Sequence, residues 1–343
     1  MNLIEVLEKN RENDIFFFGA GGVFRTAIER HKDVLSGLHV RGVFDNDERK
    51  WGSEVCGFRV LSLDVLADCK KDALFIITSS YALEIKNQLS TYQLNQVYSY
   101  HDLVHIGRVY SEAEKAQLEN VKGYLADEKS REIIDFIIRK RDCGDCRFEE
   151  ICEDDQYFVE GIIHLGPNEV FVDGGAFVGD TVERIIAETG NHFAKIYAFE
   201  PDKENHRILQ EKFREDDRIV PIKAGLGRMH QELFFISNED NCEAGRIAED
   251  GNEVVMIESI DESISGPVTF IKLDVEGYEM DTLHGARKTI QKNKPTLAIC
   301  LYHKAEDLYE IPQYIHALVP EYRLFVRHHT GGVAETVLYA VLD

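Results

Sequence analysis

Four apolar runs in this chain end in residues able to do acid–base or cation chemistry. Phe171-Val172 leads into Asp173 and a turn with glycines at 174, 175 and 179. Ala198-Phe199 leads into Glu200-Pro201, Phe270-Ile271-Lys272-Leu273 into Asp274-Val275-Glu276, and Ile299-Cys300-Leu301 into Tyr302-His303. An acid at a strand end, ahead of a glycine turn, repels a pyrophosphate and attracts a ligand ammonium or sulfonium. The glycines let a ligand approach the main chain, and a helix N-terminus points its N–H groups the same way. Asp173 therefore favours S-adenosylmethionine over a dinucleotide. Glu200 stands at the end of the next strand, where an acid accepts both ribose hydroxyls of an adenosine.

The elements that position these residues follow from periodicity. Residues 169–186 read as strand, tight loop and helix. Strands are expected at 195–199, 219–222, 268–274 and 295–301, with a helix at 203–213. Residues 232–236 and 253–257 alternate like paired strands with a polar loop between them. The close, 322–329 and 335–341, is separated by Thr330–Ala334, too short for a parallel crossover, so the last strand is antiparallel.

Ahead of this lies a second α/β pattern. Residues 1–14 suggest an amphipathic helix with Leu3, Val6 and Leu7 on one side. Ile15–Phe18 is a buried strand ending at Gly19-Ala20-Gly21-Gly22, a helix follows, and Val40–Phe44 ends at Asp45. Strands at 74–78 and 97–100 and a helix at 82–89 complete the unit. Phe24 stands where a third glycine would complete a dinucleotide fingerprint, so the Gly19–Gly22 turn serves the fold alone or holds a nucleotide or nucleotide-sugar. No acid precedes it; Phe18 stands where Asp173 stands in the other half.

Between the halves, residues 108–142 are helical in pattern. Ser111 with Glu114 makes a capping box, and Ile133, Ile134, Ile137 and Ile138 mark one face. Cys143-x-x-Cys146 with Cys152 lacks a matching second pair, which argues against a zinc site. The expected fold class is α/β with two doubly wound Rossmann-like domains. The boundaries are 1–106 for the first, 107–150 for a helical connector and 151–343 for the second.

Composition narrows the partners. With 62 acids against 39 bases the formal charge is −23, unsuited to phosphate backbones or anionic membranes. Nucleic acid is disfavoured, no apolar run approaches the roughly 18 residues of a membrane span, and no basic leader opens the chain. Seven cysteines, an odd number, suit a reducing compartment, and the expected location is the cytoplasm.

Residues 150–343 resemble the FkbM family of S-adenosylmethionine-dependent methyltransferases. The resemblance rests on Phe171–Thr181, Phe199-Glu200-Pro201, Ser259-Ile260-Asp261, Ile271–Glu279 and Arg327-His328-His329. It implies a class I methyltransferase fold, with the methionine part of the cofactor on Asp173, Gly174, Gly175, Phe177, Gly179, Asp180 and Thr181. It also implies the ribose on Glu200 beside Pro201, and the adenine beside the turn at Ala224 and Gly225. Family members mostly methylate hydroxyls of sugars or secondary metabolites, so a small-molecule or glycan-linked acceptor is expected.

A sugar hydroxyl needs a base as its proton leaves, and Asp274, Glu276 and His303 lie at the carboxyl edge of the sheet where an acceptor enters. His303 is the first choice, as a neutral imidazole at pH 7. Asp274 and Glu276 could alternatively hold a divalent cation, although two acids from one loop are a thin metal signature and no metal is assigned. His328 and His329 either line the acceptor site or are an exposed pair before a turn. Two rivals stand beside this reading: an oxidoreductase or epimerase with a nicotinamide cofactor at Gly19–Gly22, and a non-catalytic nucleotide-sugar module.

Overall fold

The computed structural model describes residues 3–79, 81–105, 109–143, 145–236, 246–247 and 253–342. The N-terminal elements run α1 (Leu3–Lys9), β1 (Ile15–Phe18), α2 (Gly22–Arg30), α3 (Lys32–Leu35), β2 (Val40–Phe44), β3 (Glu54–Val55), β4 (Phe58–Leu61), β5 (Leu74–Ile77), α4 (Ala82–Ser90), β6 (Gln96–Ser99) and α5 (Tyr100–His105). They form one sheet in the order β3-β4-β2-β1-β5-β6, parallel except where β3 meets β4. Helix α1 buries Leu3, Val6 and Leu7, as its spacing predicts. The β3–β4 hairpin is absent from the sequence reading because it alternates weakly, with Glu54 and Arg59 facing water. Tyr100, expected at the end of a strand, instead opens α5 with its ring buried.

Two helices follow, α6 (Glu112–Lys122) and α7 (Glu128–Cys143). The capping box forms in both directions: Glu114 N–H donates to Ser111 Oγ, and Ser111 N–H donates to Glu114 Oε2 at 2.9 Å. The boundary expected at 106–107 lies outside the described residues, as does Gly144. Cys143 and Cys152 are exposed free thiols and Cys146 a buried one.

The C-terminal elements are β7 (Glu169–Gly174), α8 (Asp180–Glu188), β8 (Phe193–Phe199), α9 (Lys203–Lys212), β9 (Ile219–Ile222), β10 (Gly225–Leu226), β11 (Gln231–Ile236), β12 (Arg246–Ile247), β13 (Glu253–Glu258), α10 (Ile260–Ser263), β14 (Phe270–Leu273), α11 (Glu279–Gly285), α12 (Arg287–Asn293), β15 (Thr296–Cys300), α13 (Asp307–Leu318), β16 (Arg323–His328) and β17 (Thr336–Val341). Seven strands make the main sheet, ordered β16-β17-β15-β14-β7-β8-β9. All neighbours are parallel except β17, which runs against both β15 and β16. This is the antiparallel last strand that the short 330–334 connection requires. Strands β10–β13 form a separate small sheet, and most of the polar loop expected within it lies outside the described residues.

The runs of consecutive apolar residues arise because both sheet faces are covered. Val172, Ile271, Leu273 and Ile299 face one core, while Phe171, Phe270, Ala298 and Cys300 face the other. Helix α7 lies along β16, where Ser130 Oγ accepts from Val326 N–H at 2.9 Å. The N-terminal unit touches the β16–β17 turn: Asp102 Oδ1 accepts from Val333 N–H at 3.3 Å, and Lys86 pairs with Glu149 at 2.8 Å. Among the described residues no helix is long and apolar enough to cross a membrane.

Candidate active site

Strand order reverses at β7: β8 and β9 extend one way, β14 and β15 the other. The crevice beyond the carboxyl ends at such a switch point is where open α/β sheets take ligands. Asp173 and Gly174 end β7, Glu200 follows β8, Asp274 follows β14 and His303 follows β15.

Asp173 is wholly buried, and its cation is internal. Lys272, directly across from it on β14 and only 2% exposed, brings Nζ to 3.1 Å from Asp173 Oδ1. The same ammonium donates to the Gly175 carbonyl at 2.8 Å and the Gly174 carbonyl at 3.2 Å. Burial pushes the Asp173 carboxyl up to about 6 while Lys272 pulls against it, so the pair is ionised at neutral pH. The sequence reading left Lys272 without a role. Its signal was a lone charge inside an apolar strand, which requires a buried partner.

The glycines also answer to the protein itself. Gly175 has φ +76°, and a Cβ there would overlap the Asp274 carbonyl oxygen. A Cβ on Gly174 would stand 2.8 Å from Leu273, and one on Gly179 (φ +85°) 2.5 Å from the Phe213 ring. The loop's N–H groups turn inward too. Gly175 and Ala176 donate to the Phe199 carbonyl, Gly179 donates to that of Ala176, and Phe177 donates to Glu200 Oε2 at 2.8 Å. The expectation that this loop aims its amides at a ligand is corrected for these four, because the turn consumes them.

Glu200 is buried, and its second oxygen accepts from Asp202 N–H at 2.9 Å. Burial raises its carboxyl to about 7 against the pull of those two amides. Each oxygen keeps a lone pair for a ligand hydroxyl. Phe177, at φ +47°, holds its ring 48% exposed beside this acid. Thr181 is buried, Asp180 exposed at the start of α8, and Pro201 lies against the buried Ala224-Gly225 turn.

On the other side of the switch point, Asp274 accepts from Tyr157 O–H at Oδ2 and from Tyr302 O–H at Oδ1, both at 3.0 Å. His303 Nδ1 lies 2.9 Å from Glu279 Oε1, and its Nε2 lies 3.5 Å from both Asp274 Oδ1 and Glu276 Oε2. Burial alone would lower the imidazole, but Glu279, Glu276 and Asp274 together raise it to about 10. The neutral base expected at His303 is therefore corrected: without another cation in the cluster, the ring is an imidazolium at pH 7. Beyond Asp274, Glu335 accepts from Gln156 and from Tyr302, and Tyr157 O–H lies 3.5 Å from Cys300 Sγ. None of Tyr157, Glu279 and Glu335 is given a role by the sequence: Tyr157 and Glu335 come from segments with no strand-end signature, and Glu279, although it closes the Ile271–Glu279 motif, lies five residues past the strand-end acid.

Residues 173–327, beginning at Asp173 itself, match the family model described as the methyltransferase FkbM domain. The chain carries a methyltransferase FkbM domain. Ahead of it, residues 11–98 match a family described as C2185-like, N-terminal. Among solved structures, the methyltransferase FkbM from Methylobacillus flagellatus KT aligns over 99% of this chain and 93% of its own, with TM-score 0.69 and 22% identity. An rRNA methylase from Streptococcus thermophilus aligns over 52% of this chain and 90% of its own at TM-score 0.34 and 14% identity. The Aeropyrum pernix fibrillarin bound to S-adenosyl-L-methionine covers 53% of this chain and 71% of its own at 0.35 and 14%. Among curated proteins no relative matches.

The two histidines that directly follow the matched segment do not reach the cluster. His328 is fully buried, with Nδ1 at 2.8 Å from Thr336 Oγ1 and Nε2 at 2.8 Å from the Gly332 carbonyl. His329 bridges the Glu153 carbonyl and the Tyr339 hydroxyl. Neither is the exposed pair expected as the alternative to site residues: His328, the last residue of β16, fastens the 330–334 turn through Gly332, and the half-buried His329 just beyond it ties this end of the strand to Glu153 and Tyr339. Burial lowers His328 to about 4. Between about pH 6.5 and 4 the unfolded chain thus binds a proton that the folded chain refuses, so this residue costs stability as pH falls. Urea unfolding at pH 7 and pH 5 should show His328→Asn losing about 2 kcal/mol less than the parent over that interval. Equal losses would disprove the assignment.

In the N-terminal unit the glycine turn is clamped by the acid beyond the next strand. Asp45 Oδ2 accepts from Ala20 N–H at 2.8 Å and from Lys50 Nζ at 3.0 Å, and Oδ1 accepts from Asp47 N–H at 2.8 Å. A Cβ on Gly19 (φ +107°) would stand 2.6 Å from the Thr78 carbonyl oxygen. Glu200 clamps Phe177 in the same way in the FkbM domain, so the two units share one strand–turn–acid device. Here the acid is committed to its own loop.

Proposed function

We propose that the chain is an S-adenosylmethionine-dependent O-methyltransferase acting on a hydroxyl of a sugar, glycan or secondary metabolite, with the methyltransferase unit spanning 151–343, a connector at 107–150 and an accessory unit at 1–106. The observation that carries this reading is the line of Asp173, Glu200, Asp274 and His303 beyond four neighbouring strands of a methyltransferase FkbM domain. The residues suit this cofactor. Turn amides satisfied internally and carboxylates at three strand ends disfavour a phosphate, whereas Glu200 keeps lone pairs for ribose hydroxyls. Bound there, S-adenosylmethionine supplies an electrophilic methyl group, and the C–S bonding pair returns to sulfur.

The chain's own work is placement and proton removal. Tyr157 and Tyr302 fix the Asp274 carboxylate, and Glu276, partly exposed, stands at the rim. An acceptor hydroxyl set against this pair contributes a lone pair to the new C–O bond and gives its proton to a carboxylate. Positioning accounts for much of the rate in such a displacement. Calorimetry should give one S-adenosylmethionine per chain, weakened about 10- to 100-fold by Glu200→Ala, the worth of hydrogen bonds to a charged acceptor. Mass spectrometry with labelled cofactor and a panel of sugars, nucleotide-sugars and cell extract should then find a product heavier by CH₂. Absence of cofactor binding by the parent protein would end the proposal.

A further inference from the structure

We infer that Asp274, Glu276 and His303 form a site for one divalent cation, best suited to Mn²⁺, whose open positions take the acceptor's hydroxyl oxygen. The second half of this statement rests on the methyltransferase reading; the first does not. Asp274 Oδ1, Glu276 Oε2 and His303 Nε2 lie within 4.8 Å of one another. The two separations of 3.5 Å from Nε2 are too long for hydrogen bonds. They are close to the roughly 3.4 Å edge between two ligands at tetrahedral angles on a cation whose bonds are about 2.1 Å, and a few tenths of an ångström wider than the octahedral edge of about 3.0 Å.

The histidine is the independent observation. Its side chain is only 8% exposed, yet neither ring nitrogen makes a hydrogen bond, and Nε2 is aimed at the gap between two carboxylates. Its other nitrogen lies 2.9 Å from Glu279 Oε1, on a carboxylate with no solvent exposure. A buried carboxylate this close to Nδ1 favours a proton on that nitrogen and so leaves the Nε2 lone pair for a cation, as in the carboxylate–histidine pairs behind metal-bound histidines. Asp274 has the matching support, since the hydroxyls of Tyr157 and Tyr302 each donate to one of its oxygens.

Two carboxylates with one imidazole suit a borderline cation that accepts both oxygen and nitrogen, which favours Mn²⁺ over Mg²⁺ or Ca²⁺. Three protein ligands leave open positions on the ion for water and substrate oxygen. A hydroxyl bound there loses its proton more readily, to water, so the two acids then hold the cation in place of the proton. Adjacent hydroxyls on an acceptor would chelate, which points to a vicinal diol such as a sugar provides.

The test titrates Mn²⁺ into chelator-treated full-length protein and follows the free ion by electron paramagnetic resonance. One ion per chain should bind, weakened at least tenfold by Glu276→Gln and by His303→Gln. Glu279→Gln, which leaves every ligand in place, should weaken it about 10- to 100-fold. Circular dichroism of each variant separates lost ligation from lost fold, and Glu276, partly exposed, is the substitution the fold tolerates best. No binding by the parent protein, or binding indifferent to Glu276→Gln and His303→Gln, overturns the site. Mn²⁺ binding without S-adenosylmethionine binding would uphold the site and end the methyltransferase reading; the reverse result would do the opposite.

Discussion

Asp173→Ala should destabilise the protein by about 3–5 kcal/mol, the cost of leaving one charge of a buried pair without its partner. The orphan is the Lys272 ammonium, 2% exposed and held between Asp173 and the carbonyls of Gly174 and Gly175. Urea denaturation measures the loss. Removing both charges in Asp173→Ala/Lys272→Met should restore most of it, because the pair's desolvation cost disappears along with its attraction. If the single variant unfolds at the same urea concentration as the parent, the pair does not act as the structure implies. The prediction bears on function as well: Lys272 ties β14 to the Gly174–Gly175 turn, so losing the pair loosens the two strand ends that flank the crevice.

Gly175→Ala is expected to cost about 2–4 kcal/mol, from the left-handed backbone it must adopt and from overpacking. Gly161 supplies the control. It has almost the same φ, +77°, but nothing stands within 4 Å of where its Cβ would lie. Gly161→Ala should therefore show the backbone cost alone, about 1 kcal/mol. The difference between the two is the price of pushing a methyl group into the Asp274 carbonyl. That push displaces Asp274 from Tyr157 and Tyr302, so Gly175→Ala should lose cofactor and cation binding while Gly161→Ala keeps both. Equal unfolding midpoints for the two variants would show that the close approach is not structural.

Much of the fold was legible because strands and helices are written locally. Ile15–Phe18, Val40–Phe44 and Leu74–Ile77 are strands within a residue of their apolar runs, and Ser111 with Glu114 marks the start of α6. The reversal at β17 followed from a loop too short to cross over. The β3–β4 hairpin did not follow, since two short, partly exposed strands leave no strong alternation.

The sequence by itself determined which residues stand at the strand ends: Asp173, Glu200, Asp274 and His303 were all named from runs that end in a polar residue. Only the tertiary structure decided what each of them faces. Lys272 reaches Asp173 across 99 positions of chain, and Glu279 reaches His303 from the start of α11, turning an expected neutral base into a positively charged ring or the ligand of a cation. The same holds for the glycines, whose spacing announced a turn while the Asp274 carbonyl and the Phe213 ring explain why no side chain fits there. Periodicity records whether a residue faces core or water, which is a local property. Protonation and close contact depend on charges and atoms brought in from distant segments, and no local pattern encodes them.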